Sequence, residues 1–221
     1  MVEGRARNKR GRPSVPLLSK SKILAASLEL VDERGLAEFS VQTVADKLGV
    51  TGASLYHYFT DRDQLLRGLG LLVLREMREL HRKTSRSEPP RSWQDWVRDY
   101  ADALYAASSR HPNVVPILLA RRTHGDVADL FEIALNDLVR GGLEARLALM
   151  ALDSIEGIVL AWVSFEQARE PNWGYGELAP EDFPGLSGVL DLGEPSRVRL
   201  NTSVDALIAG FGELAVRATA D

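Results

Sequence analysis

Apolar residues recur at helical spacing along most of this chain, and the clearest example is a pair of short segments between residues 40 and 59. In the first segment, apolar side chains stand at positions i, i+3, i+4 and i+7, which places them on one face of a helix over residues 41–48. Ser40 stands just before this run, where its hydroxyl can accept a hydrogen bond from a free backbone N–H. Gly49 follows the run, where a helix often ends in the left-handed region that glycine tolerates. The pattern therefore predicts a short, capped helix.

The second segment predicts another short helix that packs against the first. Thr51 offers a second N-cap, and Leu55 and Phe59, four residues apart, form the inward face. The outward side chains are small, polar or aromatic: Gly52, Ala53, Ser54, Tyr56 and His57. In a helix-turn-helix, the second helix enters the major groove with its N-terminal residues at base edges. From these residues alone, the pair is either such a DNA-reading motif or an ordinary helical hairpin in which the hydroxyls only cap.

Helical patterns also flank the pair. We expect a first helix over residues 20–34, between Ser19 as its cap and Gly35 as its end. Its inward stripe consists of Leu24, Leu28 and Val31, widened by Ile23 and Leu30. Asp61 followed three residues later by Gln64 resembles a capping box that opens a fourth helix. The inward stripe of that helix consists of Leu65, Leu66, Leu69, Leu72, Val73, Met77 and Leu80.

Further helical patterns with little strand signal predict an all-α body. Ser92 and Asp95 look like the cap of one of its helices. Two helices, over residues 143–169 and near 200–214, are apolar on nearly every side, so each must be central or shared with a partner. Between them, residues 170–195 contain five Gly and four Pro. A loop this long either covers a ligand cavity or is a flexible surface connection.

The residues from Ile23 to Leu66, about a fifth of the chain, resemble the DNA-binding domain of the tetracycline-repressor (TetR) family of regulators. The resemblance rests on Ile23-Leu-Ala-Ala-Ser-Leu-Glu-Leu-Val, Gly35, Val44-Ala45, Leu48-Gly49-Val50, Leu55-Tyr56-His57-Tyr58-Phe59 and Leu65-Leu66, in family order and at family spacing. It implies a three-helix, helix-turn-helix DNA-binding domain over 19–66 and an all-helical ligand-binding and dimerisation domain over 67–221. The implied function is a ligand-responsive transcriptional regulator, a repressor that leaves its operator when a small molecule binds the C-terminal domain.

The same resemblance implies which side chains contact DNA: Val41, Gln42, Thr43, Thr51, Gly52, Ala53, Ser54, Tyr56, His57, Tyr58 and Arg62. Gln42 could make a bidentate bond to adenine. Tyr56 and Tyr58 would bond phosphates through their hydroxyls, unless one of them mainly packs. Arg62 stands where family members often have a lysine that grips the DNA backbone, although Asp61 and Asp63 weaken the positive field there.

The resemblance also assigns roles in the body. The two long apolar helices would pair with their twins in a dimer seam formed by Ile155, Val159, Val204, Leu207, Ile208 and Phe211. Trp96, Tyr100, Phe131, Trp162 and Phe165 could line an effector pocket, or they are plain core. Asp153 and Glu156 interrupt an apolar helix, where they either bond a polar ligand or face solvent or a helix end.

Charge is divided unevenly along the chain. Residues 1–22 contain seven basic residues and one acidic residue, a net charge of +6, which leaves −10 on the remainder of a chain whose net charge is −4. Residues 1–18 are therefore expected to form a disordered basic arm. Arg10-Gly11-Arg12-Pro13 resembles the core of an AT-hook, whose two arginines enter a narrow minor groove. Arg10 and Arg12 either have that role or belong to a plain phosphate-binding arm.

Composition and motifs argue against other classes. The chain has no cysteine, which excludes a disulfide framework and a thiolate metal site. None of the four histidines stands in an HExxH pair, and there is no Gly-rich phosphate loop or GxSxG elbow, so we expect neither catalysis nor a metal nor a cofactor. We expect a cytoplasmic homodimer on a palindromic double-stranded operator, without a membrane. The alternatives are a non-specific architectural DNA-binding protein and a helical enzyme.

Overall fold

The predicted all-α fold is confirmed. A computed structural model describes residues 18–84, 92–120, 127–167, 181–182, 184–185 and 196–218, and no strand occurs among them. The principal helices are α1 (Lys20–Arg34), α2 (Val41–Leu48), α3 (Gly52–Leu55), α4 (Arg62–Thr84), α5 (Trp93–Arg110), α6 (Val115–Ala120), α7 (Ala128–Arg140), α8 (Ala145–Gln167) and α9 (Ser196–Ala218), with a 3-10 turn at Pro112–Val114 before α6. We refer to α1–α3 as the head and to α5–α9 as the body; α4 joins them.

Helix α1 has the predicted ends, but its buried face is rotated relative to the predicted stripe. Ser19 accepts a hydrogen bond from the Lys22 backbone N–H, and Gly35 ends the helix at φ 76°. The buried residues are Ile23, Ala26, Ser27, Leu30 and Val31, whereas Leu24 and Leu28 are only half-buried. The rotation follows from packing on two sides, against α2 and α4. On α4, Gly68 leaves room for Leu24, because a Cβ at Gly68 would lie 2.5 Å from Leu24 Cδ2.

Helix α4 begins at a cap that differs in one bond from the predicted box. The Gln64 backbone N–H donates to Asp61 Oδ1 at 2.6 Å, as expected. The Gln64 side chain accepts from the backbone N–H of Thr60, at 2.6 Å, rather than from that of Asp61. Leu65, Leu69 and Val73 are fully buried on its inward face. This single helix therefore runs from the head into the body, where it packs along α5.

Helices α5 and α8 form the centre of the body. The Ser92 hydroxyl accepts from the Asp95 backbone N–H at 3.3 Å, which confirms the predicted cap of α5. The Trp93 backbone N–H donates to Gly141 O at 3.2 Å, so the start of α5 lies directly on the end of α7. A Cβ at Gly141 would come within 2.9 Å of the Trp93 backbone nitrogen. Only glycine permits this approach.

Helix α8 is the long apolar helix of the sequence pattern. Among the described residues, it alone has the length and composition to cross a membrane, and half of its most apolar stretch is buried inside the protein. It packs against α5, α7 and α9, with Ala148, Leu152, Ile155 and Val159 in the interior. Its apolar character is therefore that of the central helix of a helical bundle.

Candidate DNA-binding face and regulatory body

A reciprocal cap fixes the start of α2. The Thr43 backbone N–H donates to Ser40 Oγ at 3.1 Å, and the Ser40 backbone N–H donates to Thr43 Oγ1 at 3.0 Å. Val44 and Ala45 are fully buried behind this cap, and Gly49 ends the helix in the left-handed region at φ 66°. Thr43 was not expected in the cap, although a hydroxyl three residues after Ser40 was a signal for it. Its hydroxyl is engaged there rather than free for DNA.

Helix α3 is shorter than the sequence pattern indicates. It comprises four residues, and residues 56–58 form turns. Thr51 occupies the N-cap position, but its hydroxyl bonds Ser54 Oγ at 2.9 Å and makes no bond to a backbone N–H, which corrects its predicted capping role. Leu55 and Phe59 are buried as predicted. The backbone N–H groups of Tyr58 and Phe59 both donate to Leu55 O, at 2.9 and 3.1 Å, so the chain closes into a turn after α3.

The outward face of α3 is open, and the first turn of α2 lies beside it. Ala53, Tyr56 and His57 are exposed, with 56% of Tyr56 accessible, whereas Ser54 is half-buried. A Cβ at Gly52 would lie 3.1 Å from Gln42 Oε1, so the side-chain amide of Gln42 covers the start of α3. The other end of that amide donates to Asp46 Oδ1 at 2.7 Å, which holds it in place. Together these groups form one polar surface on two helix starts.

Tyr58 packs, whereas Tyr56 does not. The Tyr58 hydroxyl donates to the backbone oxygen of Leu18 at 2.7 Å, and the side chain is half-buried against the core. This bond fixes Leu18, the first described residue, next to the α3 turn. Arg10 and Arg12 lie outside the described residues.

Arg62 lies against the loop between α1 and α2. Its Nε and Nη2 are both 3.4 Å from Phe39 O, and its guanidinium carbon is 5.5 Å from the centre of the Phe39 ring. The hydrogen bond from the Gln64 backbone N–H lowers the pKa of Asp61 below its usual value, so this carboxylate next to Arg62 stays charged. Arg62 is exposed and charged, but its head group points along the protein surface.

An ion-pair cluster braces the other side of α2. Lys47 Nζ lies 3.2 Å from Glu29 Oε2 and 3.2 Å from Glu33 Oε1, both on α1. Lys47 lies in the last turn of α2, after its buried residues, and Glu33 lies near the end of α1. The ion pairs therefore join the C-terminal parts of the two helices at the surface. Helices α1 and α2 are thus joined by surface ion pairs as well as by packing.

In the body, Trp96 and Tyr100 stand at the centre of a buried cluster. Their rings stack at 4.9 Å with an interplanar angle of 17°, and the His81 ring meets both edge-on, at 4.8 and 5.8 Å. The Tyr100 hydroxyl donates to Glu156 Oε1 at 2.6 Å, and Glu156 is only 5% exposed. Burial lowers the pKa of His81. Glu156 therefore faces the interior, while Asp153 faces outwards.

The other three pocket candidates lie on α7 and α8. Trp162 and Phe165 meet edge-on at 6.3 Å towards the C-terminal end of α8, where Phe165 is largely exposed. Phe131 is half-buried on α7. Among the candidates, Trp96 and Tyr100 contact each other, His81 and Glu156, and Trp162 contacts Phe165.

Most of the residues expected in a dimer seam are buried within one chain. Ile155, Val159, Val204, Ile208 and Phe211 belong to its core, and only Leu207 is partly exposed. They are the positions where α8 and α9 pack on each other and on α5. The outer faces of the same helices carry other apolar or small residues: Leu149, Met150 and Phe165 on α8, and Val198, Ala206, Ala209, Gly210 and Leu214 on α9. A partner could touch those positions instead.

A capped helix, a second short helix with an exposed face and a buried core behind both, together with a separate helical body, define a helix-turn-helix DNA-binding protein with a regulatory domain. Comparison with known proteins agrees. Residues 23–69 match the family model of bacterial regulatory proteins of the tetR family, and residues 87–183 match that of the tetracyclin repressor-like C-terminal domain. The chain belongs to the TetR family, and it is a ligand-responsive, DNA-binding regulator of transcription. Members of this family are soluble proteins that bind operators and small molecules and act as dimers.

Individual relatives resemble the chain over most of its length. The class D tetracycline repressor protein of Escherichia coli is 25% identical over 199 residues, which are 88% of this chain and 89% of that protein. The crystal structure of apo ActR from Streptomyces coelicolor is similar with a TM-score of 0.76 and 25% identity, over 91% of this chain and 98% of that one. A TetR from Acinetobacter baumannii shares the fold with a TM-score of 0.71 and 24% identity, over 90% of this chain and 99% of that one.

Proposed function

We propose that this protein is a cytoplasmic repressor that binds a palindromic operator as a homodimer, inserts α3 into the major groove and leaves the operator when a small molecule binds the body. The observation that carries this proposal is the exposed face of α3. Ala53, Tyr56 and His57 point outwards while Leu55 and Phe59 anchor the same turn in the core. An exposed helix start fits the major groove, where small side chains allow close approach.

The residues proposed to contact DNA fall into three groups. Gly52, Ala53, Ser54 and His57 would face base edges, and Tyr56 would bond phosphate. Gln42 and Val41 would reach the groove from the start of α2, while Thr43 and Thr51 would contribute mainly through their methyl groups because their hydroxyls are engaged. Arg62, Arg10 and Arg12 would contact the backbone or minor groove, and Tyr58 would act by fixing the chain at Leu18.

A genomic selection tests the DNA-binding face. The purified protein is mixed with fragments of its home genome, and the most enriched fragment is footprinted and used as the probe. We expect a palindromic footprint and an affinity about 10³-fold or more above that for random DNA. Ala53→Asp, which places a negative charge on the face, should reduce binding to the level of random DNA. Ala128→Asp, equally exposed but in the first turn of α7, should bind as the wild type.

Two outcomes would reject the proposal. Equal affinity for the enriched fragment and random DNA would indicate an architectural binder. Unchanged affinity in Ala53→Asp would show that another surface contacts DNA.

For the effector, we propose that the cluster around Tyr100 is the anchor of the site. A stacked aromatic pair beside a buried carboxylate suits a flat ligand with a polar edge. The ActR protein of Streptomyces coelicolor, which shares the fold with a TM-score of 0.72 and 23% identity over 90% of this chain and 99% of that one, has been crystallised in complex with actinorhodin. Planar aromatic compounds that release the DNA probe from the wild type should lose potency against Tyr100→Phe, which keeps the ring and removes the bond to Glu156.

A further inference from the structure

The end of α5 touches the head at one histidine. His111 is the C-cap of α5, and its side chain is mostly buried between α1 and α4. Its Nδ1 lies 2.7 Å from Asp32 Oδ2 on α1, and its Nε2 lies 3.2 Å from Glu76 Oε2 on α4. The neighbouring Arg110 pairs with the other oxygen of Glu76. One side chain of the body thus bridges two carboxylates, one of which belongs to the head.

Asn113, in the 3-10 turn that follows, makes a second connection to the same helix. Its amide Nδ2 donates to Val31 O at 2.8 Å and to Asp32 O at 3.3 Å. These carbonyls lie in the last turn of α1, where Val31 O also accepts from the backbone N–H of Gly35 at 2.8 Å. Its amide oxygen accepts from Gln167 Nε2 on α8. We call Asp32, Glu76, His111, Asn113 and Gln167 the α1 clasp.

The number of hydrogen bonds that a histidine ring can donate depends on its charge. A neutral imidazole has one N–H and one lone pair, so it can donate to only one of the two carboxylates, and its lone pair then faces the other. The imidazolium donates to both, and the C-terminal end of α1 favours a positive charge. Burial raises the pKa of Asp32, and the hydrogen bond from His111 opposes that rise.

Two further charged side chains lie near the carboxylates that His111 contacts. Glu33 on α1 is close to Asp32, and Arg110 on α5 pairs with Glu76. Helix α6 has no titratable side chain, and α8 contributes the neutral Gln167. No acidic and histidine cluster among the described residues, this one included, is arranged to hold a metal ion.

We propose that His111 is a positioning residue whose bridge between Asp32 and Glu76 closes the α1 clasp, fixes the angle of the head on the body and thereby raises DNA affinity. The proposal rests on the proposed DNA-binding function. Closing the α1 clasp restrains α1, and α1 carries α2 through the Lys47 ion pairs. Two heads of a dimer must stay about 34–36 Å apart to meet successive major grooves, so a loose head binds less well.

The α1 clasp also has a physical route to the effector site. Helix α5 runs without interruption from the Trp96–Tyr100 stack to its cap at His111, and α8 runs from Glu156 to Gln167. A ligand that shifts either helix at the cluster would displace one arm of the α1 clasp. The clasp therefore adds a second connection between the body and the head, besides α4.

The test compares His111→Gln with Arg110→Gln and the wild type. All three full-length proteins are titrated with the enriched genomic fragment at fixed salt and at pH 6. We expect His111→Gln to bind about tenfold more weakly than the wild type, within the usual range of coupling energies. Arg110→Gln, which removes a neighbouring charge but neither carboxylate bond of His111, should follow the wild type.

A DNA-free measurement separates the two proposals. Hydrogen exchange at the last turn of α1 and in α2 should be faster in His111→Gln than in Arg110→Gln at pH 6. If the wild type enriches no DNA, the proposed function fails, and exchange still decides whether the α1 clasp restrains the head. If His111→Gln does not fold, Glu76→Gln, which leaves the Asp32 bond in place, should show a smaller change of the same sign. Unchanged affinity and unchanged exchange in a folded variant would overturn the proposal.

Discussion

At the residue scale, Tyr56 and Tyr58 show how two identical side chains on one turn take different roles. The side chain of Tyr56 is exposed beside α3, whereas the hydroxyl of Tyr58 donates a hydrogen bond to the backbone oxygen of Leu18. Both residues lie in the turn that follows α3, and their side chains leave it in different directions, one towards solvent and one towards the core. The sequence left open which one packs, because both rings are equally able to do so.

Removing each hydroxyl separates these roles. Tyr56→Phe should weaken DNA binding while leaving the free energy of unfolding unchanged, because an exposed hydroxyl contributes little to the fold. Tyr58→Phe should lower the free energy of unfolding by about 1 kcal/mol, the typical net value of one hydrogen bond. DNA titration and chemical denaturation of both variants measure the two effects. A larger loss of affinity in Tyr58→Phe than in Tyr56→Phe would contradict the assignment.

His81 makes the body sensitive to acid. Because burial lowers its pKa, the folded protein keeps the ring neutral where the unfolded chain takes up a proton. The stability contributed by the neutral ring is complete above the unfolded value of about 6.5 and is lost as the pH falls below it. The free energy of unfolding should therefore fall less between pH 7.5 and pH 5 in His81→Gln than in the wild type. His57→Gln, at an exposed site, is the control and should keep the full decrease; an equal decrease in His81→Gln would contradict the prediction.

At the element scale, the caps of α2 and α3 contribute unequally to the free energy of unfolding. Ser40 and Thr43 satisfy backbone donors at the start of α2, whereas Thr51 bonds only another side chain. Ser40→Ala should therefore lower the free energy of unfolding by about 1 kcal/mol. Thr51→Ala should lower the free energy of unfolding by only a few tenths of the loss expected for Ser40→Ala. Denaturation of the two variants checks the difference, and an equal loss would mean that Thr51 caps in solution.

The same elements indicate what a sequence can predict. The ends of α1 and α2 follow from Ser19, Gly35, Ser40 and Gly49 because caps and terminators act locally. The length of α3 does not follow from local signals of this kind, since it depends on where Phe59 enters the core. The burial of Glu156 does not follow from them either, because its partner Tyr100 is far away in sequence.

The surfaces of α8 and α9 were the hardest to predict, for a related reason. A helix that is apolar on every side has no periodic signal to distinguish the face covered by its own chain from the face left for a partner. The predicted seam residues therefore included Ile155 and Val204, which lie in the core of one chain. Only the packing of both helices on α5 shows which faces remain uncovered.

At the scale of the whole molecule, we propose that those uncovered faces form the surface on which two subunits meet. Gly210 is exposed on α9, and a Cβ built on it meets nothing within 4 Å in its own chain. Small and apolar neighbours at Ala206, Ala209 and Leu214 extend the same face. A glycine on such a face allows a partner helix to approach closely, so a long charged side chain there would separate the subunits without disturbing either one.

Gly210→Arg should therefore convert the dimer to a folded monomer at micromolar concentration. Each monomer could engage only one half-site, so its affinity for the enriched fragment should fall towards that for random DNA, because the two head contacts no longer reinforce each other. Ala128→Arg, on the exposed surface of α7, should leave both mass and affinity unchanged. Sedimentation at several concentrations gives the mass, and circular dichroism checks that the helices persist. A dimeric Gly210→Arg with wild-type affinity would place the interface elsewhere, whereas a monomer with full affinity would show that operator binding does not depend on a fixed distance between two heads.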